Sequence, residues 1–264
     1  MPITIAVLSQ KGGTGKTTAV RTLSDVMTRV GLPTLLIDLD PQGNLSDYLD
    51  VPSEAEPTIA DVLAGRANVG EAIDPNGDVV PANLSLAETE LMLGGKIGRE
   101  LTLRRALAKA PDRYELIFVD CPPSLGLLTV NALAAADWAL ITAEAQYFAL
   151  QGVEQAMEVV QLARDTLQSE LELLGVLLNL ADMRTVHSRE ALASLRERFG
   201  EKVFGTVVRS SIAYAESAER AVSILDYRPD LGADYVALAE ELLRRLGGFE
   251  EAQRALAQLA REPA

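Results

Sequence analysis

The chain has 264 residues, 48% of them apolar but only 5% aromatic, so leucine, valine, isoleucine and alanine must fill its core. A single cysteine, Cys121, excludes an internal disulfide framework and any cysteine-rich metal or iron–sulfur site. Twenty-four basic residues against 38 acidic ones give a net charge of −14, which speaks against a nucleic-acid binder unless the basic residues are gathered in one place.

Apolar strand character begins right after Met1, without a charged leader, and no apolar stretch approaches the roughly 18–20 residues of a membrane span. The expectation is a soluble, cytoplasmic protein. Short apolar runs at 3–9, 34–40, 84–86, 116–121, 139–143, 173–180 and 203–208 read as strands. Several lack polar alternation, which marks strands buried on both faces. Helical patterns at 18–30, 102–110, 150–167, 188–199 and 235–246 fill the gaps. Residues 51–82, with Pro52, Pro57, Pro75, Asn76, Gly77 and Pro81, read as an irregular surface excursion. Strand–helix alternation predicts an α/β fold, a mostly parallel twisted sheet with helices on both faces, as one domain over 1–264. Ligands of such sheets sit at the carboxyl ends of the strands.

Three motifs fall at such strand ends. Gln10-Lys11-Gly12-Gly13-Thr14-Gly15-Lys16-Thr17-Thr18 follows a strand and opens a helix, the context of a phosphate-binding loop. Its glycines let several backbone N–H groups face one point, and the helix N-terminus adds partial positive charge. Lys16 can reach the β- and γ-phosphates of a nucleotide and the Thr17 hydroxyl can ligate Mg²⁺. Gln10 occupies the first loop position, where the strict pattern has glycine, and an extra lysine, Lys11, follows it. Asp38 and Asp40 end the second strand before the turn Pro41-Gln42-Gly43; carboxylates there can hold Mg²⁺ through water or orient a nucleophilic water. Asp120 ends the fourth long run in the Walker B manner, ahead of Pro122-Pro123-Ser124-Leu125-Gly126, which can sense a γ-phosphate. The one histidine, His187, has no triad partners in view, and Cys121 reads as a packing residue.

Together KGGTGKTT (11–18), DLDPQGN (38–44) and FVDCPPSLG (118–126) resemble the ParA/Soj family of partition ATPases, in the deviant Walker A group. Weaker echoes are ITAEAQYFALQGV (141–153), the segment from Asn179 to Arg184, and residues 217–234. The resemblance implies an ATP-hydrolysing switch for chromosome or plasmid partitioning, with ATP/ADP and Mg²⁺ as ligands. It implies an ATP-dependent sandwich homodimer, nonspecific binding of double-stranded DNA, nucleoid association and stimulation by a ParB-type centromere-binding partner. By the same resemblance Lys11 contacts the nucleotide of the partner subunit. Gly12, Gly13, Thr14, Gly15, Lys16, Thr17 and Thr18 bind the phosphates. Thr17, Asp40 and Asp120 serve the metal, Asp40 positions or activates the attacking water, and Asn179, Val208 and Arg209 lie near the adenine. Val208 stands where the family often has proline. No helix-turn-helix segment precedes the loop, so the short form of the family is expected.

Residues 184–209 carry six basic against three acidic side chains, and Arg184, Arg189 and Arg209 are the candidate DNA contacts. Lys96, Arg99, Arg104, Arg105, Lys109 and Arg113 form a rival cluster. Alternatives are a MinD-like membrane-switching regulator, a positioning ATPase for a protein cargo, and a scaffold that binds nucleotide without turnover. A membrane switch needs a basic amphipathic tail. The tail at 247–264 instead sets Glu250, Glu251 and Glu262 against Arg254 and Arg261, with an apolar face mostly of alanine, so no membrane partner is expected.

Overall fold

The computed structural model describes residues 2–146, 149–167 and 170–260. In chain order the elements are β1 (Ile3–Leu8), α1 (Lys16–Arg29), β2 (Thr34–Asp38), α2 (Asn44–Tyr48), α3 (Ile59–Ala64), β3 (Val79–Val80), α4 (Ser85–Leu93), α5 (Thr102–Leu107), β4 (Leu116–Asp120), α6 (Leu127–Ala135), β5 (Trp138–Glu144), α7 (Ala149–Leu167), β6 (Glu172–Asn179), α8 (Val186–Phe199), α9 (Ala213–Glu219), α10 (Ile224–Tyr227), α11 (Pro229–Leu246) and α12 (Glu250–Leu259). The six strands form one all-parallel sheet in the order β3-β2-β4-β1-β5-β6.

Side chains alternate across each strand, so the sheet builds two cores. Ile5 and Val7 of β1, with Leu36 and Phe118, pack against α1 and α11 through Leu23, Met27, Leu238 and Leu242. Ala6, Leu8, Ile37 and Val119 face the other way, toward α3 to α8. Every residue of β2 and β4 is buried, which is why their sequences show no polar alternation. β1 lies between β4 and β5, so the loop leaving its carboxyl end is flanked by the ends of both neighbours.

Three expectations are corrected. Residues 84–86 are not a strand: Asn83 Oδ1 accepts from Ser85 N at 3.0 Å and opens α4. The strand falls earlier, at Val79–Val80, whose β-branched residues pair with Leu36 and Ile37 inside the expected excursion. That excursion also holds α3, fixed by a capping box between Thr58 and Asp61. Residues 203–208 run beside β6 but form only isolated bridges, at Val203 and just beyond at Arg209. The amides of Gly205 and Thr206 bond the Glu241 carboxylate at 2.9 and 3.0 Å instead of a strand. Tyr147 and Phe148 of the 141–153 segment, and Arg261 and Glu262 of the tail, lie outside the described residues.

Candidate functional site

The loop between β1 and α1 is shaped by its glycines. Gly13 and Gly15 sit at φ 79° and 76°, in the left-handed region that side chains rarely enter. A Cβ on Gly15 would also lie 2.4 Å from Asn179 Nδ2. That amide donates to the carbonyls of Thr14 at 2.9 Å and Gly15 at 3.2 Å, clamping the loop from the end of β6. α1 starts at Gly15 without a side-chain cap, so its first amides stay free for an anion.

Gly12, Gly13, Gly15, Lys16, Thr17 and Thr18 line a cavity of about 610 Å³. Asp40, Gln42, Asn44 and Pro123 complete one end, and Leu180, Tyr214, Ala215 and Ala218 the other. This volume suits a nucleotide-sized ligand. Lys16 is 7% exposed and its ammonium donates to Ser9 Oγ at 3.1 Å. Thr17 Oγ1 donates to Asp120 Oδ2 at 2.6 Å, joining the phosphate loop to the end of β4.

The three carboxylates differ in their surroundings. Asp38 is fully buried and saturated: it accepts from Asp40 N at 3.1 Å and from Ser46 N and Oγ at 2.9 and 2.8 Å. It braces the turn between β2 and α2, and burial lifts its pKa to about 6. Asp40 faces the cavity and accepts one bond, from Gln42 N at 3.0 Å. Asp120 is also buried, but its Oδ1 has no hydrogen-bond partner among the described residues. Burial, then the neighbouring Asp38 charge, lifts its pKa to about 8. An orphaned carboxylate oxygen beside a threonine hydroxyl, next to a phosphate cradle, fits a hard divalent cation. Among the described residues, no cluster of three or more His, Cys, Asp or Glu could hold an ion unaided.

Other sequence-selected residues lie apart. Lys11 is exposed and donates to Gln146 Oε1 in the loop after β5; it borders a neighbouring cavity rather than the nucleotide-sized one. Asn179 and Val208 are fully buried and line no part of the nucleotide-sized cavity. Asn179 gives its amide to the loop, and Val208 pairs its backbone with Leu178 and Ala181. Arg209 bonds Asp234 at 2.8 Å, outside the cavity lining.

The basic cluster at 184–209 is partly neutralised. Arg184 makes a two-pronged pair with Asp182 at 2.9 Å, Arg198 pairs with Glu154, and Arg189 donates to the carbonyls of Met183 and Arg184. In the rival cluster Arg99 pairs with Glu100, Arg113 with Asp78, and Arg105 donates to Gly98 O. Motif reading missed Tyr48 and Tyr214, which line the cavity from α2 and α9; Tyr48 Oη and Ser217 Oγ, 2.6 Å apart, tie those helices together. A contact 169 residues apart in sequence leaves no local signal.

A parallel sheet whose central strand feeds a glycine loop, a buried lysine and a threonine hydroxyl held by a strand-end aspartate defines a P-loop nucleoside triphosphatase. Residues 3–173 match the family model described as AAA domain. The chain is 38% identical to the sporulation initiation inhibitor protein Soj of Bacillus subtilis over 245 residues, covering 90% of this chain and 97% of that protein. It is 36% identical to the chromosome partitioning protein ParA of Caulobacter vibrioides, covering 91% and 94%. Among solved structures, one described as cobyrinic acid a,c-diamide synthase from Mycobacterium smegmatis with bound ADP and magnesium superposes with a TM-score of 0.76. It shares 35% identity, over 88% of this chain and 94% of that one. The chain belongs to the ParA/Soj family of P-loop ATPases.

Proposed function

We propose that this ATPase works as a nucleotide-switched dimer that moves or segregates DNA, and that the whole of 1–264 acts as one unit. The observation that carries the dimer is Lys11. One lysine, Lys16, already serves the chain's own cavity, while Lys11 stands outside it and rests on Gln146. A loose cation beside a phosphate site is available to a second copy's nucleotide. A fixed charge delivered across an interface makes ATP a dimerising ligand, because only the dimer fully neutralises the phosphates.

Within one protomer, the glycine-loop amides and Lys16 would bind the phosphates, and Thr17 with Asp120 would hold Mg²⁺. Bound there, Mg²⁺ supplies neutralisation of the negative charge that builds up on the transferred phosphoryl group. Asp40, with one of its oxygens free of donors among the described residues, is the carboxylate placed to orient the attacking water. A shallow DNA contact by Arg184, Arg189 and Arg209, doubled in the dimer, gives weak, salt-sensitive and sequence-independent binding. A ParB-type partner that speeds hydrolysis would then release the protein from the nucleoid.

The test is Asp40→Ala. ATP binding is expected within a few-fold of wild type while phosphate release falls by roughly 100-fold or more, the usual share of a positioned base. Light scattering should then show the variant dimeric with ATP and monomeric with ADP. An unchanged mass with ATP over a concentration series excludes the sandwich dimer. Flotation on anionic vesicles with no DNA retention points to the membrane-switching alternative, against which Leu256 of the tail helix is buried in the core.

A further inference from the structure

Beneath the phosphate loop three buried hydroxyls stand in line. Ser9 follows β1, Thr14 lies in the loop, and Thr142 belongs to β5. Ser9 Oγ is 2.7 Å from the carbonyl of Lys11, 3.0 Å from Thr14 Oγ1 and 3.1 Å from Lys16 Nζ. Thr14 Oγ1 is 2.9 Å from Thr142 Oγ1.

Proton counting gives this chain one direction. A carbonyl can only accept, so Ser9 must give its single proton to Lys11 O. Its lone pairs then face Lys16 and Thr14, and both of those donate to it. Thr14 has thereby spent its proton and can only accept from Thr142. The order is Thr142 to Thr14 to Ser9 to the Lys11 carbonyl, with the Lys16 ammonium donating into Ser9. Among the described residues, Ser9 Oγ is the one hydrogen-bond acceptor of that ammonium. Donating to the Lys11 carbonyl and accepting from Thr14 and Lys16 leaves Ser9 a single orientation.

We propose that Ser9, Thr14 and Thr142 are positioning residues for ATP hydrolysis, an oriented hydroxyl relay that fixes where Lys16 meets the phosphates. Thr142 borders a cavity of about 310 Å³ that Ser9, Thr14, Lys11 and Gln146 also line, and none of the three hydroxyl residues lines the nucleotide-sized one. The hydrogen bonds give it a path to Lys16 through Thr14 and Ser9. The role rests on Lys16 binding ATP phosphates and needs no DNA contact.

The experiment measures ATP affinity by displacement of a fluorescent ATP analogue, and kcat/KM for phosphate release, in Ser9→Ala, Thr142→Val, Thr142→Ser and the Ser9→Ala/Thr142→Val double variant. Wild-type binding of the analogue comes first; its absence removes the ATP reading itself and not the relay alone. Loss of a hydrogen bond to a charged group predicts roughly a tenfold fall in affinity and kcat/KM for Ser9→Ala. For Thr142→Val, which keeps the side chain's shape but removes the terminal donor, a fall of about threefold is expected. Thr142→Ser should restore wild-type values. The double variant should equal Ser9→Ala, because the relay ends at Ser9. A wild-type Thr142→Val, a Thr142→Ser no better than Thr142→Val, or additive effects in the double variant would each overturn the relay. Should Ser9→Ala fail to fold, the Thr142 pair and a Thr14→Val/Thr142→Val cycle carry the same decision.

Discussion

Two regions of the molecule bury charge in opposite ways. At the ends of β1 and β4, among the described residues, Lys16 has one acceptor and Asp120 leaves Oδ1 bare. Where α11 crosses the segment after β6, Glu241 accepts from Gly205 N, Thr206 N, Thr206 Oγ1 and Arg245, at 2.8 to 3.0 Å. Arg245 gives its remaining bonds to the carbonyls of Leu174, Lys202 and Val203, and lies 4.0 Å from the Phe204 ring centre. Both carboxylates are buried, yet Asp120 is pushed up to about 8 while Glu241 ends below its ordinary value. Burial acts upward on each and is the largest influence on each. Donors outweigh it at Glu241 and do not at Asp120. At Glu241 the fold itself completes the partners, whereas the bare Asp120 oxygen, beside the phosphate loop, leaves room for a ligand.

The largest way to break this contrast is Lys16→Ala. It removes the cation from the incomplete region, and ATP affinity should fall by on the order of 100-fold or more, as expected for losing charge-assisted bonds to phosphate. Titration calorimetry decides it; affinity within threefold of wild type would mean that Lys16 is not the phosphate lysine. Gly15→Ala follows. The new Cβ meets the Asn179 amide at 2.4 Å and the backbone must hold φ 76°, so stability should drop by roughly 1–3 kcal/mol and the loop should lose its clamp. Thermal unfolding with and without ATP separates the two: the nucleotide-induced rise in Tm should shrink or vanish in the variant.

Much of the nucleotide site was legible because its chemistry is local. Glycines, lysine and threonine must fall within one loop for their amides and side chains to converge, so KGGTGKTT carries its own context. The buried strands were legible as unbroken apolar runs for the same reason. What escaped depended on distant competition. Residues 203–208 have strand composition, but Glu241, 36 residues beyond Gly205, takes the amides a strand would use. The clamp by Asn179 on Thr14 spans 165 positions of sequence, and only the fold brings the two together. Val79–Val80 was hidden by the prolines and glycine around it, although two β-branched residues were enough to add an edge strand. Charge counting over 184–209 also left out Asp182 and Asp234, which lie beyond its ends and pair with Arg184 and Arg209.

Glu241→Gln sharpens the comparison from the completed side. An amide keeps one acceptor oxygen but turns an NH₂ toward groups that themselves donate, so stability at neutral pH should fall by roughly 1–3 kcal/mol. The pH dependence has a definite sign. Because the folded carboxyl titrates below its unfolded value near 4.5, its stabilisation is present above that value and disappears as pH falls through the folded pKa. Urea midpoints of wild type and variant should therefore stand apart at pH 7 and converge in acid. A constant gap down to pH 3 would mean that lost packing, not ionisation, separates them.

The smallest effect on stability is expected at the surface arginines, and this gives them their diagnostic use. Arg184 is 92% exposed at its side chain, and its pair with Asp182 is bathed in water, so Arg184→Ala should leave the unfolding midpoint where it is. Arg209→Ala, half-exposed and paired with Asp234, should move it by no more than about 1 kcal/mol, the upper range for such pairs. Any loss of DNA retention in these variants would then report a contact rather than a folding defect. An arginine already paired with a carboxylate must give up that partner to meet a phosphate, which weakens the attraction that charge counting implies. In the rival cluster, Lys96, Arg104 and Lys109 have no acidic partner among the described residues. Retention on DNA with ATP at low salt, compared for Arg184→Ala with Arg209→Ala and for Arg104→Ala with Lys109→Ala, separates the two faces. Loss in the first pair keeps the contact at 184–209. Loss only in the second moves it to the unpaired cations before β4, because a phosphate backbone finds those charges already free.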